Sequence, residues 1–376
     1  MQFRDLQKQY QFLKKDIDRE IEKILTIGNF ISGDQVAELE EQLADYVGVK
    51  HCITCANGTD ALSLALMTWG VGAGDAVFVP DFTFFSSAEV VAFEGATPVF
   101  VDVDKRTFNM SSESLELAIQ AVIKEGELIP KAVIPVDLFG QPADFSHIRT
   151  VAEKYNLLIL EDGAQGFGGK IHDKPACSFG DISTTSFFPA KPLGCYGDGG
   201  AIFTNNDEWA ELLKSYRIHG KGNNKYDNVR IGMNSRLDTL QAAVLLVKLH
   251  AFKEFELVNV NKVAERYSKL LADLCEIPVI QEGFYSSWAQ YSILLKDQVE
   301  RDNLQEYLKQ NEIPSMIYYP KTMSNQKAFK GLESVKIDLP IAADLSKRIL
   351  SLPIHPYMDY DDQERVVKTV QTFLKS

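Results

Sequence analysis

The chain has 376 residues, 45 % of them apolar, enough to bury one large or two smaller cores at roughly 150 residues per domain, which excludes intrinsic disorder. Asp and Glu number 52 against 39 Lys and Arg, a net charge of −13, so there is no diffuse basic field for nucleic acid or an anionic membrane and any anionic ligand must be held locally. Five cysteines in so long a chain fit reduced thiols better than a disulfide framework.

Met1 to Glu20 mixes acidic and basic residues and lacks the apolar core of a signal peptide, which points to the cytoplasm. Val36, Leu39, Leu43 and Val47 predict a helix over Gln35–Val47. In the β-prone run His51–Cys55, Cys52 and Cys55 face opposite ways, so buried thiols are expected rather than a metal site. The apolar stretch Ala61–Gly74 falls short of the roughly 20 residues needed to cross a bilayer.

From Asp75 to Asn205, short β-branched runs alternate with helical stretches. Strands are predicted at Ala76–Pro80, Pro98–Asp102, Ala132–Asp137, Leu157–Asp162, Thr184–Phe188 and Ala201–Thr204. Helices are predicted after Ser111 or Ser112 and over Asp144–Tyr155, where Asp144 is placed to cap. Strands that are apolar throughout and separated by helices imply an α/β fold, a largely parallel sheet covered on both faces. Ligands bind at the carboxyl ends of such strands, and Asp102, Asp137, Glu161–Asp162 and Ser186 are polar residues at those ends. A long helix, Leu237–Phe255, links to a smaller α+β unit with strand Ala289–Leu295, helix Arg301–Gln310, strand Ile313–Tyr319 and terminal helices.

Lys191 lies in Ser186-Phe-Phe-Pro-Ala-Lys191-Pro-Leu-Gly-Cys-Tyr-Gly197-Asp-Gly-Gly200. In an apolar pocket its pKa falls and it becomes an amine nucleophile; the alternative is a solvated loop lysine, and the density of Pro and Gly favours a site. Asp162, closing a buried strand, suits a protonated ring nitrogen, or else caps the following helix. Asn57-Gly58-Thr59 at a helix start offers backbone N–H groups and a hydroxyl to a phosphate, or an ordinary cap. Ser186 is a second phosphate ligand by position. Phe84 could stack on a planar ring, or pack in the core. Gly166-Phe-Gly-Gly is too short for a dinucleotide fingerprint, and no H-E-x-x-H is present, so no metal is expected. His219 and His355 either border the site or, as lone histidines, serve the structure, the commoner role.

In order and spacing these elements match fold-type I pyridoxal-phosphate enzymes, and from end to end the chain resembles the DegT/DnrJ/EryC1/StrS sugar aminotransferases. The matching stretches are Ala56-Asn-Gly-Thr-Asp-Ala-Leu, Glu161-Asp-Gly-Ala-Gln, Ser186-Phe-Phe-Pro-Ala-Lys-Pro-Leu-Gly, Gly197-Asp-Gly-Gly, Arg217-Ile-His-Gly and Gly232-Met-Asn-Ser-Arg-Leu-Asp. The resemblance implies a mainly parallel seven-stranded sheet between helices in a large domain (1–255) and a smaller C-terminal α+β domain (256–376). It implies that Lys191 holds pyridoxal 5'-phosphate covalently and moves protons. Asp162 then pairs with the pyridine nitrogen, Gln165 sits by the phenolic oxygen, and Phe84 stacks on the ring. Gly58, Thr59 and Ser186 take the phosphate, joined by Asn234 from a partner subunit in a homodimer.

Arg236 is expected at substrate anions, or in a structural ion pair. Glutamate is the implied amino donor and a nucleotide-diphosphate keto-sugar the acceptor. The blocks Thr185–Asn205, Asn234–Leu246 and Leu352-Pro-Ile-His-Pro-Tyr357 most resemble the branch acting on UDP-linked 3-oxo-N-acetylhexosaminuronates, as in O-antigen synthesis. The other readings are a 3- or 4-aminotransferase for dTDP- or UDP-linked deoxy-keto-sugars and a regulatory relative without turnover. Where relatives commonly carry His-Tyr-Pro in the sugar-binding region, this chain has Tyr318-Tyr319-Pro320.

Overall fold

A computed structural model describes residues 1–224, 226–332, 335 and 337–375. The chain begins with α1 (Leu6–Ile27), α2 (Asp34–Val47), β1 (His51–Cys55) and α3 (Gly58–Thr68). An alternation follows: β2 (Asp75–Pro80), α4 (Ser86–Phe93), β3 (Thr97–Val101), α5 (Ser112–Glu125), β4 (Ile129–Val133), α6 (Phe145–Lys154) and β5 (Leu158–Asp162). Two short strands, β6 (Lys170–Ile171) and β7 (Lys174–Pro175), precede β8 (Ile182–Ser186), β9 (Gly200–Thr204) and α7 (Asp207–Tyr216). The remainder is α8 (Thr239–Ala251), α9 (Leu257–Leu271), β10 (Phe284–Tyr285), β11 (Tyr291–Leu294), α10 (Gln298–Gln310), α11 (Pro340–Arg348), β12 (Ile349–Leu352) and α12 (Tyr360–Leu374).

The central sheet has seven strands in the order β1-β9-β8-β5-β4-β2-β3. It is parallel from β8 through β3, and β9 runs antiparallel to both β8 and β1. Side chains alternate across the pleat: Val77 and Val79 pack with α3, α4 and α7, whereas Ala76 and Phe78 pack with α5 and α6. At the β1–β9 end, Leu39 and Leu43 of α2 and Leu245 and Leu249 of α8 cover Cys52, Ala201 and Phe203. Cys55 faces the opposite layer from Cys52, and both are free, buried thiols. Leu13 and Ile17 of α1 pack on Val244 and Ala251 of α8.

The capping chemistry is local. Asp144 accepts from His147 N and Ser111 from Ser114 N at the starts of α6 and α5, each such cap contributing about 1 kcal/mol.

Three predicted elements differ. The β4 ladder begins at Ile129 and ends at Val133 instead of running from Ala132 to Asp137, because Pro135 has no N–H to continue it. The predicted strand Ile313–Tyr319 reduces to a single bridge in which Met316 and Ser351 exchange backbone bonds. Proline at positions 314 and 320 brackets it, and Tyr318 and Tyr319 pack on aromatic rings at the sheet end instead. The helix Leu237–Phe255 starts at Thr239 and does not stop at a linker. A π-type turn, Phe252–Glu256, carries it directly into α9. From α9 onward, β11 and β12 pair antiparallel, and their Tyr291, Ile293, Leu350 and Leu352 pack with Val260, Tyr267, Leu304 and Val366 of α9, α10 and α12. Among the described residues no helix is long and apolar enough to cross a membrane.

Candidate functional site

The carboxyl ends of β2, β5 and β8 and the start of α3 converge, and the pleat decides which polar residues reach the site. Glu161 and Asp162 are adjacent on β5 and therefore point to opposite faces. Glu161 is buried away from the site, accepting from Cys177 N, Phe179 N, Gly180 N and Ser183 Oγ, and so pins the segment leading into β8. Asp162 accepts from Ser87 Oγ at 2.7 Å and from Ala164 N at 3.2 Å. Burial raises its pKa, while the Ser87 hydroxyl and the charge of Lys191 pull the other way. Two other expected strand-end residues serve the scaffold. Asp102 caps α11 by accepting from Ile341 N and Ala342 N. Asp137 accepts from Ala143 N beneath Gly166, and burial together with the charge of Glu161 pushes its pKa well up.

Lys191 sits in the tight loop between β8 and β9. Its N–H bonds to Phe188 O, Cys195 N bonds to Phe187 O, and a Cβ on Gly194 would lie 2.5 Å from Pro189 O, so only glycine closes this loop. The lysine is half-buried. Burial lowers its pKa, Asp162 partly offsets this, and the charge of Arg4 lowers it further. The amine is thereby shifted toward its neutral, nucleophilic form.

An anion cradle lies at the start of α3. A Cβ on Gly58 would stand 2.6 Å from Ser186 Cβ and 3.1 Å from its Oγ, which places the Ser186 hydroxyl against the helix N-terminus. Thr59 Oγ1 lies 2.8 Å from Ser86 Oγ at the start of α4. Two helix N-termini and three hydroxyls thus meet, a donor set suited to a phosphate. Asn57 rather than Thr59 caps α3, accepting from Asp60 N, which leaves the Thr59 hydroxyl for the cradle. The only signal Ser86 and Ser87 carry in the sequence is their position two and three residues after Phe84 at a strand-to-helix turn.

Phe84 is 53 % exposed, so it is not a core residue. Its ring lies 6.2 Å from that of Tyr319. Gln165 Nε2 donates to Tyr319 Oη at 3.1 Å and its Oε1 accepts from Phe139 N, so the amide spans the sheet end and the Tyr318–Tyr319 segment. Burial raises the pKa of both tyrosines. Asp81, just after β2, accepts from Ser324 N and Ser324 Oγ and anchors the far end of this segment.

Asn234 is exposed, and its Oδ1 accepts from Arg236 Nη2 at 2.6 Å. Arg236 makes no ion pair among the described residues. Beside it lies an open concavity lined by Ser32, Tyr226, Val229 and Ile231. His219 is held by backbone bonds to Met233 and Asn228. His355 is buried, and its pKa is pushed down to about 4 by burial and by Arg4.

The model of the DegT/DnrJ/EryC1/StrS aminotransferase family matches residues 11–371. A UDP-2-acetamido-2-deoxy-3-oxo-D-glucuronate aminotransferase of Pseudomonas aeruginosa is 44 % identical over 360 residues, covering 96 % of each chain. A pleiotropic regulatory protein of Geobacillus stearothermophilus is 40 % identical over 375 residues, covering 99 % of this chain and 98 % of its own. The crystal structure of a DegT DnrJ EryC1 StrS aminotransferase from Brucella abortus is similar with a TM-score of 0.97 at 50 % identity, over the full length of both chains.

Proposed function

The chain belongs to the DegT/DnrJ/EryC1/StrS aminotransferase family, whose cofactor is pyridoxal 5'-phosphate, and on that premise we propose that it transfers an amino group from glutamate to a UDP-linked 3-oxo-N-acetylhexosaminuronate. The observation that carries this reading is the meeting of an amine with a lowered pKa, a buried carboxylate and a hydroxyl-lined pair of helix N-termini at one sheet end. The acceptor follows the activity of the Pseudomonas relative. The name of the Geobacillus relative raises a regulatory role; retention of Lys191 favours turnover.

When bound, pyridoxal phosphate supplies an electron sink for the substrate carbon that bears nitrogen. Asp162, oriented by the Ser87 hydroxyl, would hold the ring nitrogen. Gly58, Thr59, Ser186 and Asn234 of the partner subunit would hold the phosphate. Phe84 and Gln165, the latter bonded to Tyr319 Oη, would hold the ring. Lys191 Nζ would be the base that accepts the proton leaving the substrate carbon, the same amine serving both half-reactions. Tyr318, Tyr319 and Arg236 bind substrate.

Residues 1–255 carry the cofactor and 256–376 form the smaller domain. Exposed Val229 and Ile231 line the concavity beside Arg236 together with Ser32, which follows exposed Phe30 and Ile31 in the chain. Exposed apolar side chains of this kind beside Asn234 and Arg236 suit a second copy of the chain. We assign the reaction to the cytoplasm and to cell-surface polysaccharide (O-antigen) synthesis. A panel of nucleotide keto-sugars with glutamate, read by product mass, tests the assignment. Amination of the UDP-3-oxo-hexuronate supports it, and amination of deoxy-keto-sugars alone replaces it with the 3- or 4-aminotransferase reading.

A further inference from the structure

The N-terminal segment crosses the site. Phe3 O accepts from Ile354 N just beyond β12, and the Phe3 ring lies 6.2 Å from that of Tyr318. The next residue, Arg4, donates from Nη2 to Pro192 O at 3.3 Å, the carbonyl immediately after the candidate catalytic lysine. Arg4 therefore stands between the lysine loop and the tyrosine segment.

Its bonding is sparse. A guanidinium has five N–H donors, and among the described residues that of Arg4 makes this one long hydrogen bond and no ion pair. The carboxylate it senses, Glu256, lies beyond ion-pair distance and already accepts from Gln9 Nε2 at 2.8 Å and Tyr357 Oη at 2.6 Å. The remaining charged or titratable groups that sense Arg4 are Lys191, Lys248 and His355, none of which supplies a compensating anion. Burial lowers the Arg4 pKa to about 10, a measure of how poorly its charge is compensated. The side chain is only half-buried, so part of it remains accessible.

We propose that Arg4 is a specificity-determining residue that binds the carboxylate of a substrate held at Lys191. This rests on the aminotransferase reading for its substrates but not for its test. Planar guanidinium and carboxylate pair in two parallel hydrogen bonds. Two sources offer that group close to the reacting carbon: the amino donor, whose α-carboxylate is attached to it, and the acceptor sugar acid, whose carboxylate is a ring's width away. A diphosphate lies beyond the sugar and is the weaker fit.

The test is calorimetric binding to cofactor-loaded protein of three probes that do not turn over: UDP-glucuronate, UDP-glucose and glutarate. Wild type is compared with R4Q and R4K, each first shown to be folded by circular dichroism. If the sugar acid is the ligand, wild type prefers UDP-glucuronate over UDP-glucose at least tenfold; R4Q abolishes the preference and R4K keeps part of it. If the donor is the ligand, R4Q weakens glutarate at least tenfold and leaves both nucleotide sugars unchanged. Affinities within twofold of wild type for all three probes, or an equal loss for UDP-glucose and UDP-glucuronate with glutarate unchanged, overturn the proposal. Absence of any nucleotide-sugar binding by wild type counts against the proposed acceptor, and glutarate still decides the role of Arg4.

Discussion

Ser87 donates its hydroxyl to Asp162 at 2.7 Å, joining the first turn of α4 to the last residue of β5. The bond fixes the direction of a buried carboxylate that otherwise pays a desolvation cost. Exchange of Asp162 for Asn keeps the shape but removes the charge proposed to hold the ring nitrogen. Asp162→Asn is expected to slow the glutamate half-reaction roughly 100-fold or more, followed by stopped-flow absorbance. The melting temperature should hold.

The same pair sets an acid limit. Burial raises the Asp162 pKa and the Ser87 bond lowers it, so as pH falls the carboxylate takes up a proton at a higher pH than an ordinary aspartate and loses its hold on a cationic ring. Ser87→Ala removes a bond that favours the charged form and should move the midpoint of acid cofactor loss to higher pH. The visible absorbance of bound cofactor, titrated downward in pH, reads the shift. A midpoint that stays put or moves down contradicts the arrangement.

Gly58 meets Ser186 at a distance that no side chain tolerates. Gly58→Ala should push the Ser186 hydroxyl out of the cradle and weaken cofactor binding roughly tenfold, the size of one charged hydrogen bond. Fluorescence titration of the cofactor measures it.

Lys248 is a stability prediction independent of function. It is 1 % exposed, and its ammonium lies over the Tyr196 ring at 5.1 Å. Burial lowers its pKa from 10.5 to about 8. The folded state thus binds fewer protons than the unfolded chain between those values, so stability rises with pH from about 8 to 10.5. Lys248→Met removes the buried charge; it should stabilise the protein by up to about 3 kcal/mol near neutral pH and flatten that rise. Urea unfolding at several pH values tests both.

Asn234 is expected to act across subunits. Mixing Lys191→Ala with Asn234→Ala yields heterodimers in which one of two sites is intact, so activity should recover to about a quarter of wild type at equal mixing. Verified heterodimers with no recovery refute sharing.

The parts of the site legible in the sequence are those whose chemistry is local. Lys191, its flanking prolines and glycines, Asp162 at a strand end and Gly58 at a helix start all announce themselves within a few residues. Asp102 and Asp137 carried the same strand-end signal yet cap a helix and support a turn, because the signal marks a polar strand end and not its partner. Tyr318 and Tyr319 read as strand through their β-prone composition, and only tertiary packing, of Tyr318 on Phe3 and of Tyr319 on Phe82 and Phe84, reveals otherwise. Arg4 was silent, since its contact to Pro192 spans 188 residues.

Transfer of label from ¹⁵N-glutamate tests the central claim most directly. Wild-type protein loaded with pyridoxal phosphate is incubated with ¹⁵N-glutamate and the UDP-3-oxo-N-acetylhexosaminuronate, and the sugar is weighed by mass spectrometry. The account predicts a ¹⁵N-amino sugar from wild type and none from Lys191→Ala. An unlabelled sugar from wild type, or a labelled one from Lys191→Ala, contradicts it.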